Sequence, residues 1–102
     1  MSPSIDQHRA ELSELCRRYS VLSLSLFGSA TRDDFDPQRS DYDFLVEFEA
    51  LPPGRYADAY FGLLESLGQL LGRPVDLVVA SAIKNPYFRQ SVEQTRALLY
   101  AA

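Results

Sequence analysis

The sequence predicts an α/β domain of the α+β type, in which about four helices pack on a small mixed sheet of three strands. Segments 22–27 and 41–48 alternate side chains with the period of two that is typical of a strand. Segment 75–79 is a short β-branched run, and segments 5–19 and 56–71 repeat apolar residues at helical intervals. The order of these patterns along the chain predicts the fold class.

The composition is that of an ordinary folded domain. Hydrophobic residues make up 46% and charged residues 24% of the chain, so we expect residues 1–102 to form a single domain around one core. The net charge of −4 argues against unaided binding to a nucleic-acid duplex, which needs clustered Lys and Arg. No apolar run approaches the roughly 18 residues of a membrane span. The single cysteine, Cys16, cannot form a disulfide within the chain, which suits a reducing compartment. We therefore expect a cytoplasmic protein that binds neither membrane nor nucleic acid directly.

The N-terminal part is predicted to form a helix followed by a strand. Ser4 stands three residues before a glutamine, the spacing of a capping box, which predicts that it caps the helix over 5–19. The strand over 22–27 then ends at Gly28. The next residue, Ser29, is placed to cap one or two further helical turns.

The C-terminal part repeats this alternation. The helix over 56–71 is followed by Gly72, a natural residue for the end of a helix, and then by the strand over 75–79. Asn85 precedes a proline, the arrangement of an N-cap with proline at the first helical position. Spaced apolar residues as far as Leu99 predict that this last helix continues toward the C-terminus.

Three aspartates on two of the predicted strands are the candidate metal ligands. Asp41 and Asp43 are two apart on one strand, so their side chains point to the same face with Cα atoms roughly 6.6 Å apart. Asp76 interrupts the apolar run of the third strand, where a buried carboxylate would need a compensating cation. Oxygen ligands favour Mg²⁺ or Mn²⁺, and such a cluster suits two metal ions.

The turn after the first strand is a candidate phosphate site. Gly28 allows a close approach to the backbone, and Ser29 adds a hydroxyl at the start of a helical segment. Arg32, one turn further on, would add a positive charge. Each of these signals is common when it occurs alone, and it is their order along the chain that makes coincidence improbable.

These motifs together resemble the minimal nucleotidyltransferase family of the DNA polymerase beta-like superfamily. The resemblance rests on SLFGSATRDDFDPQRSDYDFLVEF and on LESLGQLLGRPVDLVV, and it covers nearly the whole chain. The stretch 30–40 between the glycine-serine pair and the Asp-x-Asp pair is one residue longer than the expected pattern, which we interpret as a loop insertion. The resemblance implies the nucleotidyltransferase fold.

The resemblance also implies a role for each candidate residue. Asp41 and Asp43 would ligate both Mg²⁺ ions, and Asp76 would complete one metal site and help to activate the nucleophile. The candidate catalytic and metal-binding residues are therefore Asp41, Asp43 and Asp76, and the candidate nucleotide-binding residues are Gly28, Ser29, Arg32 and Ser40.

In length and layout the chain resembles the antitoxins of that family, which are called MNT-type and act with a helical HEPN ribonuclease toxin. The implied reaction is transfer of AMP from ATP to a tyrosine of the toxin, within a hetero-oligomer.

The sequence leaves two alternative functions open. The domain could neutralise a toxin by binding alone, or it could be a small-molecule nucleotidyltransferase of the aminoglycoside type that dimerisation completes.

Overall fold

The structure is a computed structural model, and it describes residues 3–28 and 42–102. The strands are β1 (Val21–Phe27), β2 (Tyr42–Phe48), β3 (Val75–Val79) and β4 (Ala97–Ala101). The α-helices are α1 (Pro3–Gln7), α2 (Arg9–Arg18), α3 (Arg55–Leu71) and α4 (Pro86–Thr95). Within these described ranges, no helix is long and apolar enough to cross a membrane.

The four strands form one mixed sheet in the order β3-β2-β1-β4. β1 pairs antiparallel with both β2 and β4, whereas β2 and β3 run parallel, with α3 as the crossover between them. The predicted α/β class with a mixed sheet and about four helices is therefore confirmed. The predicted number of three strands is wrong, because a fourth strand lies beside β1.

The additional strand replaces the end of the predicted last helix. Asn85 caps α4 as predicted, since its side chain accepts hydrogen bonds from the backbone N–H groups of Tyr87 (2.9 Å) and Phe88 (3.3 Å). The helix nevertheless ends at Thr95, and the following residues pair with β1. This pairing satisfies backbone groups that β1 would otherwise expose as a sheet edge, an advantage that local sequence patterns do not show.

The N-terminal helix also differs from the prediction, because it is two helices with a break at His8. α1 already begins at Pro3, which suits the first turn of a helix, so Ser4 lies inside α1 and is not its cap. Residues on both sides of the break are buried, Ile5 in α1 and Leu12 and Cys16 in α2. Burial raises the pKa of the Cys16 thiol to about 12. The prediction that these helices pack by one apolar face is correct.

The two faces of β2 are covered by different helices. Tyr42, Phe44 and Val46 are fully buried in the main core, together with residues of α2 and α3. On the opposite face, Leu45 packs with Val92 of α4 in a smaller apolar cluster. The predicted alternation of β2 is therefore confirmed, and α4 covers part of the face that carries Asp43.

The alternation predicted for β1 is interrupted. The register between β1 and β2 shifts between Val21 and Ser23, which indicates a bulge. As a result, Leu22 is 44% exposed, although Leu24 and the leucine two residues further on are fully buried. Ser25 is also fully buried and accepts a hydrogen bond from Arg96 Nε at 2.9 Å.

Leu67, which packs α3 into the main core, should contribute much more to the stability of the fold than Leu98 of β4. Leu67 of α3 is 0% exposed, whereas Leu98 of β4 is 55% exposed. We expect Leu67→Ala to lower the free energy of unfolding by about 2–5 kcal/mol, and the matched Leu98→Ala by no more than about 1 kcal/mol. Urea denaturation followed by circular dichroism measures both values. Equal losses in the two variants would contradict the packing described here.

Candidate active site

Three of the predicted site residues, Gly28, Asp43 and Asp76, lie in the part of the chain that the structure describes. Asp41 and the predicted nucleotide-binding residues Ser29, Arg32 and Ser40 lie outside the described residues. The role of every candidate site residue stays a prediction. Gly28, Asp43 and Asp76 lie close together at one end of the sheet. There β1 ends, and the parallel strands β2 and β3 begin.

Strand pairing brings Asp43 and Asp76 together. They are direct partners in the parallel register of β2 and β3, so their side chains project from the same face, with Cα atoms roughly 4.8 Å apart. Asp43 is half-buried, and Asp76 is exposed on the edge strand. Two carboxylates directly opposite each other on neighbouring strands repel, and a divalent cation would relieve that repulsion.

The exposure of Asp76 contradicts the expectation that this aspartate lies in a buried strand. We expected a cation because an aspartate in a buried strand would need compensation. The structure places β3 at the edge of the sheet and Asp76 in contact with solvent, so burial requires no cation there. The reason for a cation is the neighbouring carboxylate of Asp43.

Gly28 lies against the carboxylate of Asp43. Its backbone has φ = +75°, in the left-handed region that favours glycine. A Cβ atom at this position would lie 2.7 Å from Asp43 Oδ2, closer than van der Waals contact allows. The Gly28 N–H donates a hydrogen bond to Thr95 Oγ1 at 2.9 Å. The backbone conformation and the position of the Asp43 carboxylate therefore both favour glycine here.

The two carboxylates open into a cleft of about 390 Å³. Its lining residues are Phe27, Asp43, Tyr60, Leu64, Val75, Asp76, Leu77, Val78 and Phe88. Of these lining residues, two are acids and none is basic. A nucleoside triphosphate could enter such a cleft only with cations that offset both its own charge and that of the acids. This arrangement fits Mg²⁺, although no three metal-binding side chains meet within 3–28 and 42–102.

Aromatic residues that the sequence did not point to form one wall of the cleft. The Phe27 and Phe88 rings meet edge to face, with centroids 6.1 Å apart. On the side of α3, the Tyr60 hydroxyl donates a hydrogen bond to the Leu77 carbonyl at 2.7 Å and ties the helix to β3. Phe27, Tyr60 and Phe88 match no motif of the sequence, and only the folded chain brings them to the cleft.

The chain matches the family model of the nucleotidyltransferase domain over residues 9–99. It belongs to this family. A similar sequence, from Methanocaldococcus jannaschii, is named as a candidate protein adenylyltransferase; it is 42% identical over 88 residues, which cover 86% of this chain and 83% of that protein. The protein adenylyltransferase MntA of Thermococcus cleftensis is 38% identical over 78 residues, which cover 76% of this chain and 72% of that protein.

Solved structures support the same fold for this nucleotidyltransferase domain. A candidate minimal nucleotidyltransferase superposes with a TM-score of 0.75 at 30% identity, covering 92% of this chain and 91% of that one. A chain of the complex between a tri-AMPylated HEPN toxin of Shewanella oneidensis and an MNT antitoxin gives 0.65 at 20% identity, covering 95% and 72%. A toxin-antitoxin structure with AMP-PNP gives 0.67 at 22% identity, covering 92% and 73%. The last two likenesses show the fold alone.

The contact between Gly28 and Asp43 can be tested with a matched pair of glycines. Gly54 also has a left-handed backbone, φ = +88°, but a Cβ there would meet nothing within 4 Å. We expect Gly54→Ala to cost roughly 1–2 kcal/mol for the backbone alone, and Gly28→Ala to cost about 1 kcal/mol more because of the clash. Urea denaturation measures both. In an Asp43→Ala background the additional cost should disappear, and its persistence there would contradict the geometry.

Proposed function

We propose that this nucleotidyltransferase domain is a Mg²⁺-dependent protein adenylyltransferase that acts as an antitoxin. It transfers AMP from ATP to a tyrosine of a partner HEPN ribonuclease toxin and so neutralises the toxin. The observation that carries the proposal is the pair Asp43 and Asp76, held side by side in one cleft, with Gly28 packed against the carboxylate of Asp43. A single domain over residues 1–102 and a cytoplasmic location belong to the same proposal.

Three aspartates have the catalytic role in this proposal. Asp41, Asp43 and Asp76 hold two Mg²⁺ ions, with Asp43 and Asp76 supplying carboxylate oxygens from adjacent strands. When bound, the ions stabilise the negative charge that develops during transfer of the nucleotidyl group and lower the pKa of the attacking hydroxyl. Because Asp76 is exposed, its carboxylate is accessible to a hydroxyl that approaches from another protein.

The triphosphate occupies the rim of the cleft. Gly28, Ser29, Arg32 and Ser40 bind it, and the missing side chain at Gly28 allows a close approach beside Asp43. The rings of Phe27 and Phe88 give the adjoining wall an apolar surface. In the reaction, the tyrosine oxygen bonds to the α-phosphorus of ATP, the bond from that phosphorus to the bridging oxygen breaks, and pyrophosphate leaves. Asp76 takes the proton of the hydroxyl.

The choice of acceptor is supported by the relatives rather than by a motif. MntA and the Methanocaldococcus jannaschii protein are both named as adenylyltransferases of proteins. Chains of similar fold come from toxin-antitoxin complexes, one of which contains an AMPylated HEPN toxin and another AMP-PNP. An AMP group on a tyrosine adds negative charge and bulk, which would repel RNA from the site of a ribonuclease.

Transfer of label from α-labelled ATP tests the proposal. The acceptor is a HEPN-type ribonuclease produced and purified together with this chain, and labelled toxin is separated by gel electrophoresis. Loss of a carboxylate that holds the metal removes several kcal/mol of transition-state stabilisation, so we expect Asp43→Asn to lower the rate by about 100-fold or more. Asp41→Ala/Asp43→Ala should abolish labelling.

Glu47→Gln is the matched control. Glu47 is an exposed acid on the same face of β2, four residues from Asp43 and outside the cleft. This variant should keep the rate of the wild type within about twofold.

Two outcomes would contradict the proposal. In the first, the wild type and Asp43→Asn both form a stable complex and neutralise the toxin without labelling it, which would identify a binding-only antitoxin. Labelling of an aminoglycoside without any partner would identify a small-molecule enzyme. Either result would overturn the proposal.

A further inference from the structure

We propose that Thr95 is a positioning residue for the nucleotide, an inference that rests on the function proposed above. Thr95 is the last residue of α4 and lies 67 positions along the chain from Gly28. Its hydroxyl oxygen accepts a hydrogen bond from the Gly28 N–H at 2.9 Å. Thr95 therefore holds the backbone at Gly28, directly after β1, where the triphosphate is predicted to bind.

The hydroxyl of Thr95 is suited to accept this bond. Its proton lies within reach of two carbonyl oxygens of its own helix, that of Ser91 at 3.3 Å and that of Val92 at 3.5 Å. A hydroxyl that donates back into its helix keeps its lone pairs for an incoming N–H group. The end of α4 thus presents a fixed acceptor to Gly28.

Gly28, directly after β1, is a position that needs such an anchor. Glycine has more backbone freedom than any other residue, and Gly28 adopts a left-handed conformation beside Asp43 Oδ2. The bond to Thr95 fixes the orientation of the peptide plane between Phe27 and Gly28, directly before the predicted triphosphate-binding residues. Thr95 would therefore set the position of the triphosphate relative to the carboxylate of Asp43 without touching either.

A second contact between the same two segments provides a control. The next residue, Arg96, donates a hydrogen bond from Nε to Ser25 Oγ at 2.9 Å, so two consecutive residues tie the end of α4 to β1. Ser25 is fully buried and lies three residues before Gly28, outside the cleft. Ser25→Ala loosens the same junction but leaves the bond to Gly28 in place.

The experiment compares Thr95→Val, Thr95→Ser and Ser25→Ala with the wild type in complex with the co-purified HEPN toxin. Valine has nearly the shape of threonine without the acceptor, and serine restores the hydroxyl. We expect Thr95→Val to raise KM for ATP, and the Kd for Mg-ATP measured by calorimetry, by about tenfold, because the displaced turn loses contacts with the triphosphate. Thr95→Ser and Ser25→Ala should remain within about threefold of the wild type.

The split between KM and kcat separates positioning from a merely structural role. A variant that is only less stable contains fewer folded molecules, which lowers the apparent kcat and leaves KM unchanged. A Thr95→Val protein with unchanged KM and Kd would overturn the inference, as would an equal rise in Ser25→Ala or no recovery in Thr95→Ser.

The binding measurement keeps this inference distinct from the proposed function. A wild type that binds Mg-ATP but labels no toxin contradicts the proposed function alone. The role of Thr95 is then decided by the Kd values of the same variants. A wild type that binds no Mg-ATP overturns both.

Discussion

The parallel register of β2 and β3 is the constraint on which the site depends. It makes Asp43 and Asp76 direct neighbours, and a slip of one residue would turn one of them to the opposite face of the sheet. The register is fixed by the core on the other face, where Phe44 and Leu77 are paired and both buried. The bond from the Tyr60 hydroxyl to the Leu77 carbonyl holds the crossover helix to β3 at the same level. Burial of apolar side chains on one face thus determines the spacing of two charges on the other.

The end of β1 is the second fixed part of the site, and contacts with α4 hold it in position. Phe88, near the start of α4, meets Phe27 in the cleft, and Val92 in its middle packs with Leu45. At its end, Thr95 accepts the bond from Gly28. The start, middle and end of α4 therefore all contact the face of the sheet that carries Asp43. These contacts hold the elements around the Asp43 carboxylate in place.

Sequence reasoning succeeded where the determining pattern is local. The alternation of β2 located Asp43, the run over 75–79 located Asp76, and the glycine after the first strand located Gly28. It failed where the determining contact is distant in sequence: neither the pairing of β4 with β1 nor the edge position of Asp76 can be read from neighbouring residues. Thr95 carried no signal, because a threonine near a helix end is ordinary. The roles of all the candidate site residues stay predictions, and Ser29, Arg32, Ser40 and Asp41 also lie outside the described residues.

The central claim is that Asp43 and Asp76 form one divalent cation site next to Gly28. Paramagnetic broadening of backbone amide NMR signals by Mn²⁺, added with ATP, tests it directly, because Mn²⁺ prefers the same oxygen ligands as Mg²⁺. We expect the signals of Gly28, Asp43 and Asp76 to broaden first, the signal of Phe48 at the opposite end of β2 to broaden least, and Asp43→Asn to abolish the effect. Broadening centred on the exposed acids of α2, Glu11 and Glu14, or no localised broadening, would contradict the account.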